Sequence, residues 1–362
     1  MKINAAIARE PHGAFVIEPA ELDTPREDEI VVRLVATGIC HTDLAIVDQL
    51  LPLPLPMVLG HEGAGIVEQV GDAVTALVPG DPVVLTFMSC AHCGSCLDHH
   101  PAYCTDYPAL NFAGTRLDGT PLVTDASGAP VGAAFFGQSS FASHAIAKAR
   151  NAVKLDSAGS LELYGPLGCG LSTGAGTIFN VLKPAPHTVL AIFGAGALGM
   201  AAILAARSLG VERIVAVDRV AARLELAREL GASDVIDTGR EDLAEGMAAI
   251  GGIDQAVDTS GAATLIEAAV AALRPGGTCA LLGAGSDREI RVDILPFING
   301  KVLRGVVHGD CDPAILIPRL VEMHRRGAFP IEKLVAFYPL ERINEAVADS
   351  LSGKTVKPII RF

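Results

Sequence analysis

The sequence predicts an α/β chain in two parts, a mainly-β segment followed by a doubly wound parallel sheet. Three observations carry that expectation. Residues 1–150 read as short, β-branched runs separated by Gly, Pro and Asp clusters. Beyond about residue 170, continuous apolar runs alternate with helix-like segments, the pattern of strand–helix–strand units. A Gly-x-Gly-x-x-Gly turn joins the first of these runs to the first helix-like segment.

In chain order, Glu29–Val35, Gly65–Val70 and Pro82–Phe87 have the branched residues and flanking turns of strands. Leu50–Pro56 is interrupted by prolines, which lack the N–H that a helix or central strand needs, and reads as an ordered loop. Thr188–Phe193 is an apolar run, as a strand covered on both faces requires. Ala197–Leu209 then reads as a helix ended by Gly210, Arg213–Val217 as a strand, and Ala221–Leu230 as a helix ended by Gly231. Val235–Ile236, Gln255–Val257 and Thr278–Leu282 continue the alternation. After about residue 300 the chain is expected to return to the first part. It does so through helix-like segments, Ala314–Arg326 and Leu340–Leu351, and a last strand, Val356–Phe362. The expected division is residues 1–170 with 300–362 for one domain and 171–299 for the other.

The chain has 362 residues, half of them hydrophobic, and a formal charge of −13. That acidity argues against general binding to nucleic acid or to an anionic membrane. Met1–Asn4 runs on to Arg9 and Glu10 without the apolar stretch of a secretory signal. Val189–Ala206 is uncharged and long enough for a membrane span, but glycines at dinucleotide-loop spacing make it a buried strand, turn and helix. A cytoplasmic protein is expected. Eight cysteines in such a chain point to metal rather than to a disulfide framework. Cys279 and Cys311 read as plain core residues.

The glycine turn is Gly194-Ala-Gly196-Ala197-Leu198-Gly199, and Asp218 follows Gly199 by 19 residues at the end of the next strand. Glycines let the backbone approach a pyrophosphate, and the helix start supplies N–H groups to it. Asp218 can accept hydrogen bonds from ribose hydroxyls and repels a 2′-phosphate, which favours NAD over NADP; Arg219 beside it weighs the other way. Cys90-x2-Cys93-x2-Cys96-x7-Cys104 suits tetrahedral zinc in a closed, structural site, with an iron–sulfur cluster as the alternative. Cys40-His41-Thr42-Asp43, Gly60-His61-Glu62-Gly63 and Cys169 within Gly165–Gly170 are separate polar islands. Spacing alone cannot bring them together, and each by itself reads as a core thiol or a satisfied histidine.

Together, and in this order, the motifs resemble the zinc-dependent medium-chain alcohol dehydrogenases over essentially the whole chain. Gly168–Gly174 (Gly-Cys-Gly-x-Ser-Thr-Gly) belongs to the same pattern. Cys40–Asp43, Phe136–Phe141 and Gly165–Gly170 are most similar to the aryl (benzyl) and terpenoid alcohol dehydrogenases. The resemblance implies a GroES-like catalytic domain, a Rossmann cofactor domain, NAD and two zinc ions per chain. It implies a catalytic zinc on Cys40, His61 and Cys169, with the fourth position left for water or substrate. Glu62 would lie just behind that metal, able to approach it during ligand exchange, and Asp43 would orient His61.

By the same resemblance, zinc lowers the pKa of the alcohol hydroxyl, and Thr42 takes that group's hydrogen bond and passes the proton outward. His41 would contact the pyrophosphate and help release the proton, and Thr173 would pack on the nicotinamide. Arg223 and Lys357 would bind the adenosine ribose and pyrophosphate, a local basic patch on an acidic protein. One departure is Ala45, which stands where many relatives carry a relay histidine; the relay then runs through His41 or water. By position, Thr86, Phe112, Phe135, Ala284 and Val307 would face a primary alcohol that is aromatic, allylic or terpenoid. A homodimer or homotetramer is implied, pairing along Thr278–Leu282 and Val302–Val307. Three other readings stay open: a polyol dehydrogenase, a thiol-adduct (formaldehyde) dehydrogenase and a non-catalytic zinc- and nucleotide-binding protein. A zinc-free quinone reductase does not fit two complete zinc sets.

Overall fold

The branched run near residue 30 becomes a ten-residue strand, Glu29–Gly38, the pivot of a seven-stranded sheet. It pairs antiparallel with Gly63–Val70, His144–Lys148 and Lys357–Arg361. The last strand of the chain therefore lies beside the end of one of the first. A second sheet of five strands includes Lys2–Ala8, Phe15–Leu22 and Val123–Asp125. Leucine, isoleucine, valine and phenylalanine from both ends of the chain, Ile7 and Phe141 with Ile343 and Ile360, fill one core.

The computed structural model describes residues 1–283 and 285–362. The sheets just described belong to one unit, Met1–Gly170 with Asp312–Glu322 and Ile331–Phe362. Leu171–Cys311 and Met323–Pro330 form the other. This second unit holds six parallel strands in the order Asp234–Asp237, Arg213–Asp218, Val189–Phe193, Ile253–Asp258, Leu273–Leu281, Val302–Gly305. Val189–Phe193 is central and buried at all five positions, which is why its sequence is an unbroken apolar run. Strand order reverses on either side of it, so the glycine turn at its end sits at the topological switch point.

Two boundaries differ from the expectation. Val302–Gly305 pairs with Leu273–Leu281, so the second unit runs on to Cys311 rather than stopping at 299. This is a half-exposed edge strand containing Arg304, and it lacks the apolar run that marks a central strand. Thr278–Leu282 proves to be the end of a strand that begins at Leu273. Val189–Ala206 resolves into the strand Val189–Phe193 and the helix Ala197–Ser208, and no helix among the described residues is long and apolar enough to cross a membrane.

Candidate active site

The long strand ends at Gly38, Cys40 follows in extended conformation (φ −118°, ψ 153°), and the helix His41–Val47 begins. Asp43, in its first turn, folds back so that Oδ2 accepts the Cys40 N–H at 2.9 Å. Its Oδ1 accepts the Gly60 N–H at 3.0 Å and lies 3.0 Å from His61 Nδ1. One buried carboxylate thus caps a helix, fixes the loop that carries His61 and sets the imidazole tautomer. The other ring nitrogen, Nε2, is buried and has no hydrogen-bond partner among the described residues. Gln138 braces the same loop, donating to the His61 carbonyl (3.1 Å) and accepting from the Gly63 N–H (3.0 Å).

One ligand atom from each of Cys40, His61, Glu62 and Cys169 lies within 4.8 Å of the others, all in the first unit. A buried imidazole nitrogen without a partner is costly, and two thiols beside it make a nitrogen–sulfur donor set that suits zinc. Gly38 leaves the room: a Cβ there would come within 2.0 Å of Glu62 Oε2. Thr42 Oγ1 is 3.7 Å from Cys40 Sγ, and His41 is exposed at the start of the helix.

Rings close in on the imidazole. Phe136 stacks on it (centroids 4.4 Å apart, planes at 21°) and Phe135 meets it edge-on at 5.3 Å. Phe112 touches both phenylalanines, and Tyr107 links Phe136 to Phe87. Phe136 adopts φ +51°, an unusual conformation for an aromatic residue, held by this ring cluster.

The second cluster is local. Cys90, Cys93, Cys96 and Cys104 bring four sulfurs within 4.8 Å of one another. Backbone N–H groups point at them: Cys93 N to Cys90 Sγ at 3.2 Å and Cys90 N to Cys104 Sγ at 3.2 Å. Such hydrogen bonds favour thiolates, and four thiolates make a closed tetrahedral shell.

In the second unit, Gly194 (φ +96°) turns the chain from Val189–Phe193 into Ala197–Ser208. A Cβ on Gly199 would strike the Gly194 carbonyl at 1.9 Å, so that packing needs glycine. Asp218 stands beside the turn: Oδ2 accepts the Ala195 N–H at 2.7 Å and Oδ1 the Val220 N–H at 2.9 Å. Gly196 caps the helix, and Ala197 and Leu198 open it. Arg219 is exposed, and Arg223 has a buried Nε without a hydrogen-bond partner among the described residues. Thr173 is buried in the same unit, on the helix Gly170–Gly176.

Residues 26–157 match the alcohol dehydrogenase GroES-like domain, and residues 197–320 match the zinc-binding dehydrogenase domain. The chain is 44% identical to a geraniol dehydrogenase of Castellaniella defragrans, over 99% of this chain and 97% of that one. It is 40% identical to a benzyl alcohol dehydrogenase of Acinetobacter calcoaceticus, whose crystal structure superposes with a TM-score of 0.96 over 100% of this chain and 99% of that one. An alcohol dehydrogenase zinc-binding domain protein from Burkholderia ambifaria is 48% identical, with a TM-score of 0.97 over 100% and 99% of the two chains. This chain belongs to the zinc-dependent alcohol dehydrogenases.

The electrostatics of the dehydrogenase's buried centre follow from its partners. Burial lowers the His61 pKa, but the charge and hydrogen bond of Asp43 outweigh it and push it up to about 10. Cys40 is held well below the usual thiol range, first through its hydrogen bond with Cys169, while Cys169 is driven up by the same pairing. A divalent cation held there would favour both thiols as thiolates and the imidazole in its neutral form. Burial pushes Glu62 up.

The other residues singled out from the sequence are placed as follows. The Lys357 ammonium, expected near a nucleotide, is buried and donates to Glu62 Oε1 (2.9 Å), Glu62 Oε2 (2.7 Å) and the Ile39 carbonyl (3.0 Å). Pairing of its strand with Glu29–Gly38 carries it inward. The Thr86 hydroxyl is spent on the Gly168 carbonyl (2.9 Å), bracing the turn before Cys169. Val307 is 42% exposed and belongs to the second unit. Ala284 lies outside the described residues. Phe87, Tyr107, Phe136 and Gln138 join the site although sequence did not single them out as site residues. Phe136 and Gln138 did fall within the Phe136–Phe141 signature, the one signal that pointed to them.

Proposed function

We propose that this dehydrogenase interconverts a primary aromatic, allylic or terpenoid alcohol and its aldehyde, with NAD as the hydride acceptor. The observation that carries the reading is a connected set of rings, Phe87, Tyr107, Phe112, Phe135 and Phe136, of which Phe135 and Phe136 lie against the His61 imidazole. Apolar rings reward an apolar alcohol and reject a polyol. The names of the geraniol and benzyl alcohol relatives support the same class.

Oxidation removes one hydride and one proton from the alcohol, and the chain's residues divide that work. Cys40, His61 and Cys169 would hold zinc, which when bound supplies a Lewis acid that acidifies the hydroxyl. Asp43 keeps the His61 lone pair on Nε2 by occupying Nδ1. Thr42, beside Cys40, accepts the hydroxyl's hydrogen bond and hands the proton outward. With Ala45 unable to carry it, exposed His41 delivers it to solvent. The rings exclude water from the carbinol. Gly194–Gly199 and Asp218 take the cofactor's pyrophosphate and ribose, Arg223 and Arg219 flank the adenosine end, and Thr173 backs the nicotinamide. Asp218 disfavours a 2′-phosphate.

The same proposal places the enzyme in the cytoplasm as a homodimer or homotetramer. Cysteines clustered as metal donors, rather than spread as a disulfide framework, suit a reducing compartment. Among the described residues the edge strand Val302–Gly305 is unpaired on one side, with Ile294, Leu295 and Ile298 exposed nearby in sequence.

The test is turnover of benzyl alcohol, geraniol, ethanol and sorbitol with NAD or NADP, read by absorbance of the reduced cofactor, with Cys169→Ser as control. Benzyl alcohol or geraniol with NAD, abolished in the control, is the expected result. Preference for sorbitol overturns the substrate class, and preference for NADP overturns the reading of Asp218. No turnover of any alcohol by zinc-loaded protein overturns the reaction in favour of a thiol-adduct substrate or a binding role.

A further inference from the structure

Four donors, not three, surround the buried centre: Cys40, His61, Cys169 and the Glu62 carboxylate. If all four bound one zinc ion the shell would be closed, as in the four-cysteine lobe, and no position would be left for an alcohol. Some feature of the chain has to withhold Glu62.

The structure shows what grips it. Glu62 is fully buried, and Lys357 is 2% exposed. The Lys357 ammonium donates to both carboxylate oxygens and to the Ile39 carbonyl, so three N–H groups meet three acceptors. Glu62 Oε1 also accepts the Gly170 N–H at 3.1 Å, one residue beyond the ligand Cys169. A lysine buried in a strand whose neighbours include Ile359 and Ile360 is costly unless a partner justifies it. Its charge also offsets one of the four negative charges, Cys40, Cys169, Asp43 and Glu62, that a metal-loaded centre would gather.

We propose that Lys357 is a positioning residue: it holds Glu62 as a withheld fourth ligand and so keeps the catalytic metal open to substrate. The inference rests on the zinc reading of the site. It has a consequence opposite to that of ordinary structural damage. Loosening a site lets metal escape and admits outside ligands more readily. Releasing Glu62 onto the metal would do the reverse.

The experiment uses full-length protein substituted with cobalt(II), with metal content measured first. Fewer than two metal ions per wild-type chain would sink the centre itself, before Lys357 is tested. Imidazole is then titrated while the cobalt d–d bands are followed, and the rate of cobalt loss to EDTA is recorded. In Lys357→Met, imidazole should bind roughly tenfold or more weakly and cobalt should leave more slowly. Lys357→Arg should retain wild-type behaviour, and Glu62→Gln/Lys357→Met should recover imidazole binding. Wild-type imidazole binding in Lys357→Met, or faster cobalt loss that the double variant does not reverse, overturns the proposal. Should Lys357→Met not accumulate as folded protein, Lys357→Gln reads the same quantity: weakened imidazole binding supports the proposal and unchanged binding overturns it.

Discussion

The two metal-binding clusters are built in opposite ways. The four-cysteine lobe draws all its donors from residues 90–104, sits partly exposed and is closed by four sulfurs. The buried centre draws Cys40, His61 and Cys169 from three distant loops and keeps a fourth donor, Glu62, paired with Lys357. Local ligands suit a site whose work is to hold a loop, because folding the lobe and binding the metal are then one event. Distant ligands suit a reactive site, because each donor can be oriented independently by the fold: His61 by Asp43, Cys40 by its helix start, Glu62 by Lys357.

That contrast can be broken most forcefully at His61. His61→Ala should cost roughly a thousandfold or more in kcat/KM, about 4 kcal/mol, while the protein stays folded and keeps one metal ion per chain. Loss of both metals, seen by elemental analysis, would mean the clusters are not independent. Asp43→Asn should lower kcat/KM by about 10- to 100-fold, with metal affinity falling alongside, because the imidazole loses its carboxylate partner. A change smaller than twofold would show that backbone alone sets the ring.

Cys104→Ser should act on the other side of the comparison. It should remove the lobe's metal and lower the melting temperature by roughly 5–10 °C. Activity per metal-loaded active site should stay near wild type; a collapse at temperatures where the chain remains folded would contradict a purely structural lobe. Phe136→Leu should raise KM for benzyl alcohol about tenfold and leave ethanol nearly unchanged, since a stacked ring serves only a substrate that fills the pocket. Equal losses for both alcohols would make Phe136 a support for His61 rather than a selector.

The smallest effect is expected far from both metals. Burial raises the Glu29 pKa, but hydrogen bonds from Arg116 outweigh it, so the folded carboxyl titrates below its ordinary value of 4.5. Its contribution is complete above that value and is lost as pH falls through the lower folded pKa. Wild type and Glu29→Gln should therefore differ in urea stability at neutral pH, and the gap should narrow below about pH 4.5. A constant gap down to pH 3 would assign the effect to packing.

Much of this molecule was legible before any coordinates. The parallel strands announced themselves because a strand covered on both faces must be apolar, and the glycine turn because backbone approach demands glycine. Edge strands escaped, as Val302–Gly305 did, because half-exposed positions carry no such constraint. The four-cysteine lobe was readable because its donors are neighbours in sequence. Cys40, His61 and Cys169 were assembled only through resemblance, since nothing local marks a thiol or an imidazole as one part of a distant set. The ring cluster and Gln138 were visible as letters and unreadable as contacts.

Element order, the cofactor turn, the lobe and the acidic, metal-binding character of the chain are all written locally, because each depends on periodicity, composition or close spacing. The fold, not the chain order, decided that Lys357 pairs with Glu62. It alone decided that Asp43 serves a helix, a loop and an imidazole at once. It alone decided that Phe136 lies flat on His61. Such pairings join residues up to 295 positions apart, and chain separation carries no record of them. They are fixed by which strands share a sheet, and strand pairing sums many weak preferences over the whole fold.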